Sequence, residues 1–181
     1  VMYFYMDTTK MFKTPQISNE TRINLGQKIG LDLINRKINS TGEVHLFIKD
    51  GVKVVDGTTS YNDKEYTDII NKFKGKVLLL GLGFGRSVIE ACYNTKVKEV
   101  TVVERNPKVI KLFWELYGQK FKGVKKLSII EEDADNYKEK GFDHVFIDIF
   151  CPPLDKRIYR LVMNKLRERF KGSIVHYIDL Y

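Results

Sequence analysis

Four places along the chain have residue types and spacing suited to chemistry. The run Gly81-Leu82-Gly83-Phe84-Gly85 follows a continuous apolar stretch, Val77 to Leu80. Glycines at such a place let the backbone turn sharply from a strand into a helix and approach a ligand closely. Glu104 ends the next apolar stretch, 19 positions past Gly85. An acidic side chain there can accept hydrogen bonds from both hydroxyls of a ribose. Asp133 stands just past a third stretch and Asp148 at the end of a fourth. Ligands of open α/β sheets bind outside the carboxyl ends of the strands, so all four places are expected on one crevice. Each has a plainer reading. The glycines would also serve strand-to-helix packing, and Asp133 would also cap a turn by bonding local backbone. Their convergence is what favours a site.

The elements that must position these residues follow from periodicity. Val77 to Leu80, Val100 to Val103, Leu127 to Ile130, Val145 to Ile147 and Ile174 to Ile178 read as strands, the uninterrupted apolar runs among them as strands buried on both faces. Helices are expected between them. One runs from about Asp63 to Phe73, with Asn62 and Glu65 spaced as a capping box and Tyr66, Ile69, Ile70 and Phe73 on one face. A short one covers Ser87 to Tyr93. Another starts at Asn106-Pro107 and is expected to end at Gly118. Its apolar stripe is Val109, Leu112, Phe113, Leu116 and Tyr117, and Trp114 reads as helix packing. The last carries Ile158, Leu161, Val162, Leu166 and Phe170, with Gly172 as its expected C′ residue. This alternation predicts an α/β fold: a Rossmann-like, doubly wound parallel sheet with strand order 3-2-1-4-5. Upstream, Val44, Leu46 and Ile48 alternate with less apolar neighbours, and Asp50-Gly51 signals a hairpin turn. Residues 1–60 are thus read as an N-terminal extension with a β-hairpin, and 61–181 as the Rossmann-like domain. Ile23, Leu25, Ile29, Leu31 and Leu33 mix strand and helix spacing, and no C-terminal β-hairpin is expected.

Composition narrows the class. Of the 181 residues, 43% are hydrophobic and 30% charged, as in an ordinary globular chain, and no apolar run is long enough to span a membrane. Cytoplasmic residence is the default expectation. Cys92 and Cys151 make no disulfide framework, and His45, His144 and His176 have no metal-ligand spacing. His144 is read as a core or sheet-face histidine. The net charge of +8 comes from scattered lysines, so a solvated basic surface is favoured over nucleic-acid binding.

Val77 to Gly85, Val100 to Asn106, Glu132-Asp133-Ala134 and Phe142 to Pro152 together resemble the successive motifs of class I S-adenosylmethionine-dependent methyltransferases. Lys98 to Glu104, and the upstream hairpin followed by a helix bearing Tyr66, look most like the spermidine synthase-like branch. The resemblance covers roughly residues 43 to 180. It implies S-adenosylmethionine or its decarboxylated form as cofactor. Gly81, Gly83 and Gly85 would line its methionine and ribose end, and Glu104 would hold the ribose. Asp133 would meet the adenine amino group, with Ala134 against the ring. Asp148 would face the sulfonium or amine end, and Tyr66 would belong to the acceptor pocket. The chain departs from that branch at Asp148-Ile149-Phe150-Cys151-Pro152, where the branch has Asp-x-x-Asp-Pro. A thiol does not take an amine proton as a carboxylate does. The branch's histidine-acidic pair after the tyrosine is Thr67-Asp68 here.

The expected function is therefore a transferase moving a methyl or aminopropyl group to a small-molecule acceptor, or an enzyme cleaving the cofactor. A degenerate, non-catalytic binding protein of the same fold is the alternative. A nicotinamide-dependent oxidoreductase shares the glycine turn and the acidic residue, but leaves no room for a separate catalytic domain. An exposed strand edge would make a homo-oligomer.

Overall fold

The computed structural model describes residues 17–37, 44–51, 53–57, 64–149 and 155–178. Asn62 of the expected capping box, Tyr61, Asp63, Cys151 and the two prolines after it lie outside them. The first described element is helix α1 (Asn19–Lys28), whose Ser18 N-cap accepts the Thr21 N–H at 3.1 Å. Strands β1 (Asp32–Lys37), β2 (Val44–Asp50) and β3 (Lys53–Gly57) form an antiparallel sheet in that order. The expected hairpin is β2–β3. The third strand, β1, was hidden in the stretch of mixed spacing, because pairing with β2 rather than local pattern makes it a strand.

The second sheet carries the site. It alternates helices α2 (Lys64–Asn71), α3 (Arg86–Tyr93), α4 (Pro107–Phe121) and α5 (Lys156–Arg169) with strands β4 (Gly75–Leu80), β5 (Val97–Glu104), β6 (Leu127–Glu131), β7 (His144–Ile147) and β8 (Ile174–Tyr177). All its pairings are parallel, in the order β6-β5-β4-β7-β8, which is the expected 3-2-1-4-5. The apolar runs are continuous because alternate residues feed two cores. Val77, Leu79, Val100, Val102 and Phe146 pack with α2, α3 and α4, with Leu31 just before β1, and with Leu33 and Ile48 of the first sheet. Leu78, Leu80, Val103, Val145 and Ile147 pack against Tyr159, Met163, Leu166 and Phe170 of the α5 side.

Three local expectations are corrected. Helix α4 passes Gly118 and ends at Phe121, whose buried ring lies 5.6 Å from that of Phe113. That packing outweighs the cost of about 1 kcal/mol for a glycine inside a helix. Gly172 is not the C′ residue of α5, because buried Phe170 takes the cap two residues earlier. Trp114 lies off the buried stripe and is 41% exposed. Among the described residues no helix is long and apolar enough to cross a membrane.

His144 is buried, as its strand position suggested, and its Nδ1 lies 2.9 Å from Nε2 of His176 on the neighbouring strand. Phe73 packs against both rings. Such a contact needs one ring to donate and the other to accept, so protonation of both breaks it. Burial pushes both histidines down, His176 to about 4, with each other's charge adding to the effect on His176. An unfolded histidine binds its proton near 6.5, so the unfolded state gains protons first as pH falls. Stability is therefore expected to drop between about pH 6.5 and 4. Melting temperatures across that range check this, and His176→Phe is expected to flatten the slope.

Candidate functional site

The carboxyl ends of β4, β5, β6 and β7 bring the predicted residues to one edge of the sheet. Strand β4 runs into the glycine turn, where Gly81, Gly83 and Gly85 have φ of 98°, 51° and 82°. A Cβ on Gly81 would stand 2.2 Å from the Asp148 carbonyl oxygen, and one on Gly85 would stand 2.5 Å from the Phe113 ring. Both positions therefore require glycine twice over, for conformation and for close approach. The turn is locked by the Gly81 N–H donating to Val103 O at 2.9 Å and the Gly85 N–H donating to Leu82 O at 2.8 Å.

Glu104 at the end of β5 is held from two sides. Its Oε2 accepts the Leu82 N–H of the glycine turn at 3.1 Å, and its Oε1 accepts the Asn106 N–H at 2.8 Å. A carboxylate has about four lone-pair positions, so two bonds fix its rotamer and leave capacity for a ligand. Asn106 is fixed in turn. Its Oδ1 caps α4 by accepting the Lys108 N–H at 2.9 Å, and its Nδ2 donates to Asp50 Oδ2 at 3.3 Å. Lys108 Nζ reaches Asp50 Oδ1 at 2.6 Å and Gly30 O at 3.3 Å. The β2–β3 turn is thus tied to the Glu104 corner. That link spans 56 residues of sequence, and nothing local announced it. Asp50→Ala is expected to weaken ligand binding at that corner by no more than about threefold, since a solvent-screened ion pair is a weak anchor. Comparing its ligand affinity with that of the wild type by calorimetry checks this.

Asp133 fulfils the turn role left open for it. Its Oδ1 accepts the Asp135 N–H at 2.9 Å, and its Oδ2 lies 3.7 Å from Arg105. Ala134 is buried beside it. The whole loop is stapled by Arg169 of α5, whose guanidinium donates to the carbonyls of Ala134, Asp135 and Tyr137 at 2.7, 2.9 and 3.1 Å. Arg169 was not singled out from sequence, where it reads only as one of several basic residues near a helix end.

Asp148 and Tyr66 meet at the floor of the crevice. The Tyr66 hydroxyl donates to Asp148 Oδ2 at 3.4 Å, and its ring packs edge-on against Phe146 with centroids 5.3 Å apart. The core role of Tyr66 is therefore realised, and its hydroxyl reaches the predicted site residue Asp148. The crowding of protein around the carboxyl pushes Asp148 up to about 6, against the Tyr66 hydrogen bond, which pulls it down. The residue remains open to solvent on the crevice side, and water there moderates the rise. Arg86, the first residue of α3, was also missed. Its guanidinium lies over the Tyr66 ring, 4.5 Å from the centroid. From α1, the Arg22 guanidinium lies 5.8 Å from the Phe84 ring of the glycine turn.

The crevice corner is acidic although the chain is basic, with Glu131, Glu132 and Asp133 after β6, Glu104 at the end of the adjoining β5, and Asp148 after β7 beyond β4. That arrangement suits a neutral or cationic ligand with hydroxyls to share. Among the described residues no group of three or more His, Cys, Asp and Glu could hold a metal ion. A groove of about 610 Å³ runs between α2 and β8, lined by Lys64, Asp68, His176 and Tyr177 among others, and includes none of the predicted site residues.

No family model matches the chain, and no curated protein matches it. Solved structures do. TYW2 from P. horikoshii, in complex with MeSAdo, aligns over 82% of this chain and 52% of its own at 16% identity and a TM-score of 0.50. TYW2 from M. jannaschii, in complex with AdoMet, aligns over 82% of this chain and 62% of its own at 20% identity and a TM-score of 0.49. A precorrin 8w decarboxylase from Methanobacterium thermoautotrophicum aligns over 74% and 70% at 22% identity and a TM-score of 0.48. The chain spans about half the length of several solved structures it matches. The sheet order, together with the likeness to P. horikoshii TYW2, shows that the chain has a Rossmann-like fold, with a glycine turn after β4 and an acidic residue at the end of β5.

Proposed function

We propose that the chain binds an S-adenosylmethionine-type cofactor in the crevice at the carboxyl ends of β4 to β7 and transfers a group from it to a small-molecule acceptor. The observation that carries this reading is the Glu104 carboxylate, clamped between the Leu82 and Asn106 amides with lone pairs to spare. The glycine turn is compatible with the same ligand, because positive φ at Gly81, Gly83 and Gly85 turns the chain sharply without side chains that would hold a ligand away from the backbone. P. horikoshii TYW2 holds MeSAdo in a structure of this fold, which makes that cofactor class the natural one to test. When bound, the cofactor would supply a carbon activated by an adjacent sulfonium.

The chain's own residues would do the rest. Glu104 would accept the ribose hydroxyls, the glycine turn would let the ligand lie close to backbone, and Ala134 with Asp133 would border the adenine. Asp148, hydrogen-bonded by Tyr66, would orient the acceptor and take its proton once ionised. The finer assignment to the spermidine synthase-like branch, and with it aminopropyl rather than methyl transfer, rests on the sequence stretches alone. Calorimetry with S-adenosylmethionine, its decarboxylated form, methylthioadenosine and NAD tests the reading directly. Binding of a sulfur-containing nucleoside in preference to NAD supports it, and binding of NAD alone, or of none, overturns it. Binding without turnover of any acceptor would instead favour a non-catalytic protein of the same fold.

Asp148→Asn is expected to lower transfer by about 100-fold while changing cofactor affinity little, as loss of a general base does. The wild-type rate is expected to rise with pH through about 6 as the carboxyl ionises. The same shift makes a stability prediction. A carboxyl whose folded pKa lies above its unfolded one contributes stability at low pH that is lost as pH rises through the folded value. Asp148→Asn is therefore expected to raise the melting temperature at pH 7.5 and to leave it unchanged near pH 3.5.

A further inference from the structure

The floor of the crevice has a support that lies behind the two residues facing it. Tyr66 is 5% exposed, so its ring is set by packing. One face of that packing is Phe146, and another is the guanidinium of Arg86. Arg86 is itself anchored at two points. Its Nε lies 3.1 Å from Glu90 Oε1 one helical turn on, and its Nη2 donates to Thr67 Oγ1 at 2.9 Å, next to Tyr66 in the chain. Its side chain is only 11% exposed. A guanidinium so held keeps its plane and place, and a desolvated cation over a tyrosine ring attracts the ring strongly.

We propose that Arg86 is a positioning residue for the crevice, holding the Tyr66 ring so that its hydroxyl points at Asp148. This rests on the reading of Asp148 and Tyr66 as the acceptor side of a transferase. The chain of contacts runs from Glu90 and Thr67 through Arg86 to the Tyr66 ring, and from the Tyr66 hydroxyl to Asp148 Oδ2. A cation over the ring also draws electron density from the phenol, which makes its O–H a better donor. Both effects favour the ionised form of Asp148, and both operate through Tyr66. The Tyr66 hydroxyl on α2 is in hydrogen-bond contact with the carboxyl, and Arg86 and Glu90 on α3 lie behind that tyrosine. A purely structural Arg86 would pin α2 to α3 and leave Asp148 indifferent to its charge.

The test reads the carboxyl itself, in the full chain without cofactor. Aspartate labelled at the carboxyl carbon is titrated by NMR, with Asp148→Asn identifying the signal. Arg86→Gln is expected to move the Asp148 midpoint upward by about half a unit or more, the direction expected when a hydrogen bond to the charged form is loosened. Thr67→Val, which leaves Arg86 in place but removes one anchor, is expected to give a smaller shift of the same sign and serves if Arg86→Gln fails to fold. In a Tyr66→Phe background the Arg86→Gln shift is expected to vanish, because the effect passes through the hydroxyl. An unchanged midpoint in folded Arg86→Gln, or an equal shift with and without the Tyr66 hydroxyl, overturns the proposal. Failure of the wild type to bind any sulfur-containing nucleoside would sink the transferase reading, yet would leave this titration result standing.

Discussion

Glu104→Ala is expected to reduce cofactor affinity by about 100-fold or more, the largest binding effect of any single substitution at the site. Two losses add. The ribose loses a charged acceptor, and a hydrogen bond to a charged group is worth about 1.5 to 3 kcal/mol. The glycine turn also loses its tether, since the Leu82 N–H and the Asn106 N–H both donate to this carboxylate. Glu104→Gln separates the two effects. Its amide keeps one oxygen but turns an NH2 group toward one of two N–H donors, so the turn is disturbed while the volume is kept. Calorimetric titration of wild type, Glu104→Ala and Glu104→Gln measures all of this. A cofactor lacking the ribose 2′-hydroxyl should lose affinity for the wild type and lose much less for Glu104→Ala. If Glu104→Ala binds the cofactor as tightly as the wild type does, the ribose role is wrong and Glu104 is only a strand end.

Gly81→Ala is expected to destabilise the fold by about 3 to 5 kcal/mol, the range of the most damaging core changes. The alanine would carry φ near 98°, which strains an L residue. Its Cβ would also meet the Asp148 carbonyl oxygen at 2.2 Å, and that atom is backbone. Neither side can yield cheaply. The Gly81 N–H is bonded to Val103 O and the Asp148 N–H to Leu80 O, each at 2.9 Å, so the clash presses β4 and β7 apart at the crevice. Gly51→Ala is the control. It has φ of 60° but nothing within 4 Å of the added carbon, so it is expected to cost only about 1 kcal/mol. Urea unfolding of the two variants isolates the close approach from the conformational penalty. Equal losses would mean that the crevice floor is soft, and that the glycine serves the turn alone.

These two expectations were reached by different routes. The expectation for Glu104 starts from its distance past the glycine cluster, which the sequence displays. The severity of Gly81→Ala is not displayed there, because it depends on the Asp148 carbonyl, which lies 67 positions away in the chain. The same division holds elsewhere. Asp133 could be read from sequence as turn or ligand residue, and only the Asp135 N–H on its Oδ1 showed that the turn role is real. Tyr66 could be read as core or site, and the fold buries its ring while bringing its hydroxyl to Asp148.

The amino-acid sequence by itself determined the order and kind of the elements in the Rossmann-like sheet, the position of the glycine turn, and the acidic residues at the strand ends. It could do so because strand and helix periodicity, capping and turn chemistry act between near neighbours. The sequence did not determine β1, which is a strand because β2 lies beside it. Nor did it determine the Asp50 link to Asn106 and Lys108, the Arg169 staple, the His144–His176 pair, or the Arg86–Tyr66–Asp148 line. Most of those contacts join groups from 32 to 82 residues apart — subject to no periodicity — and Arg86 could be placed over Tyr66 only once α2 and α3 were packed on the same face of the sheet. Tertiary structure decided them because a hydrogen bond or a ring contact requires a distance, and distance between remote residues is a property of the folded chain alone.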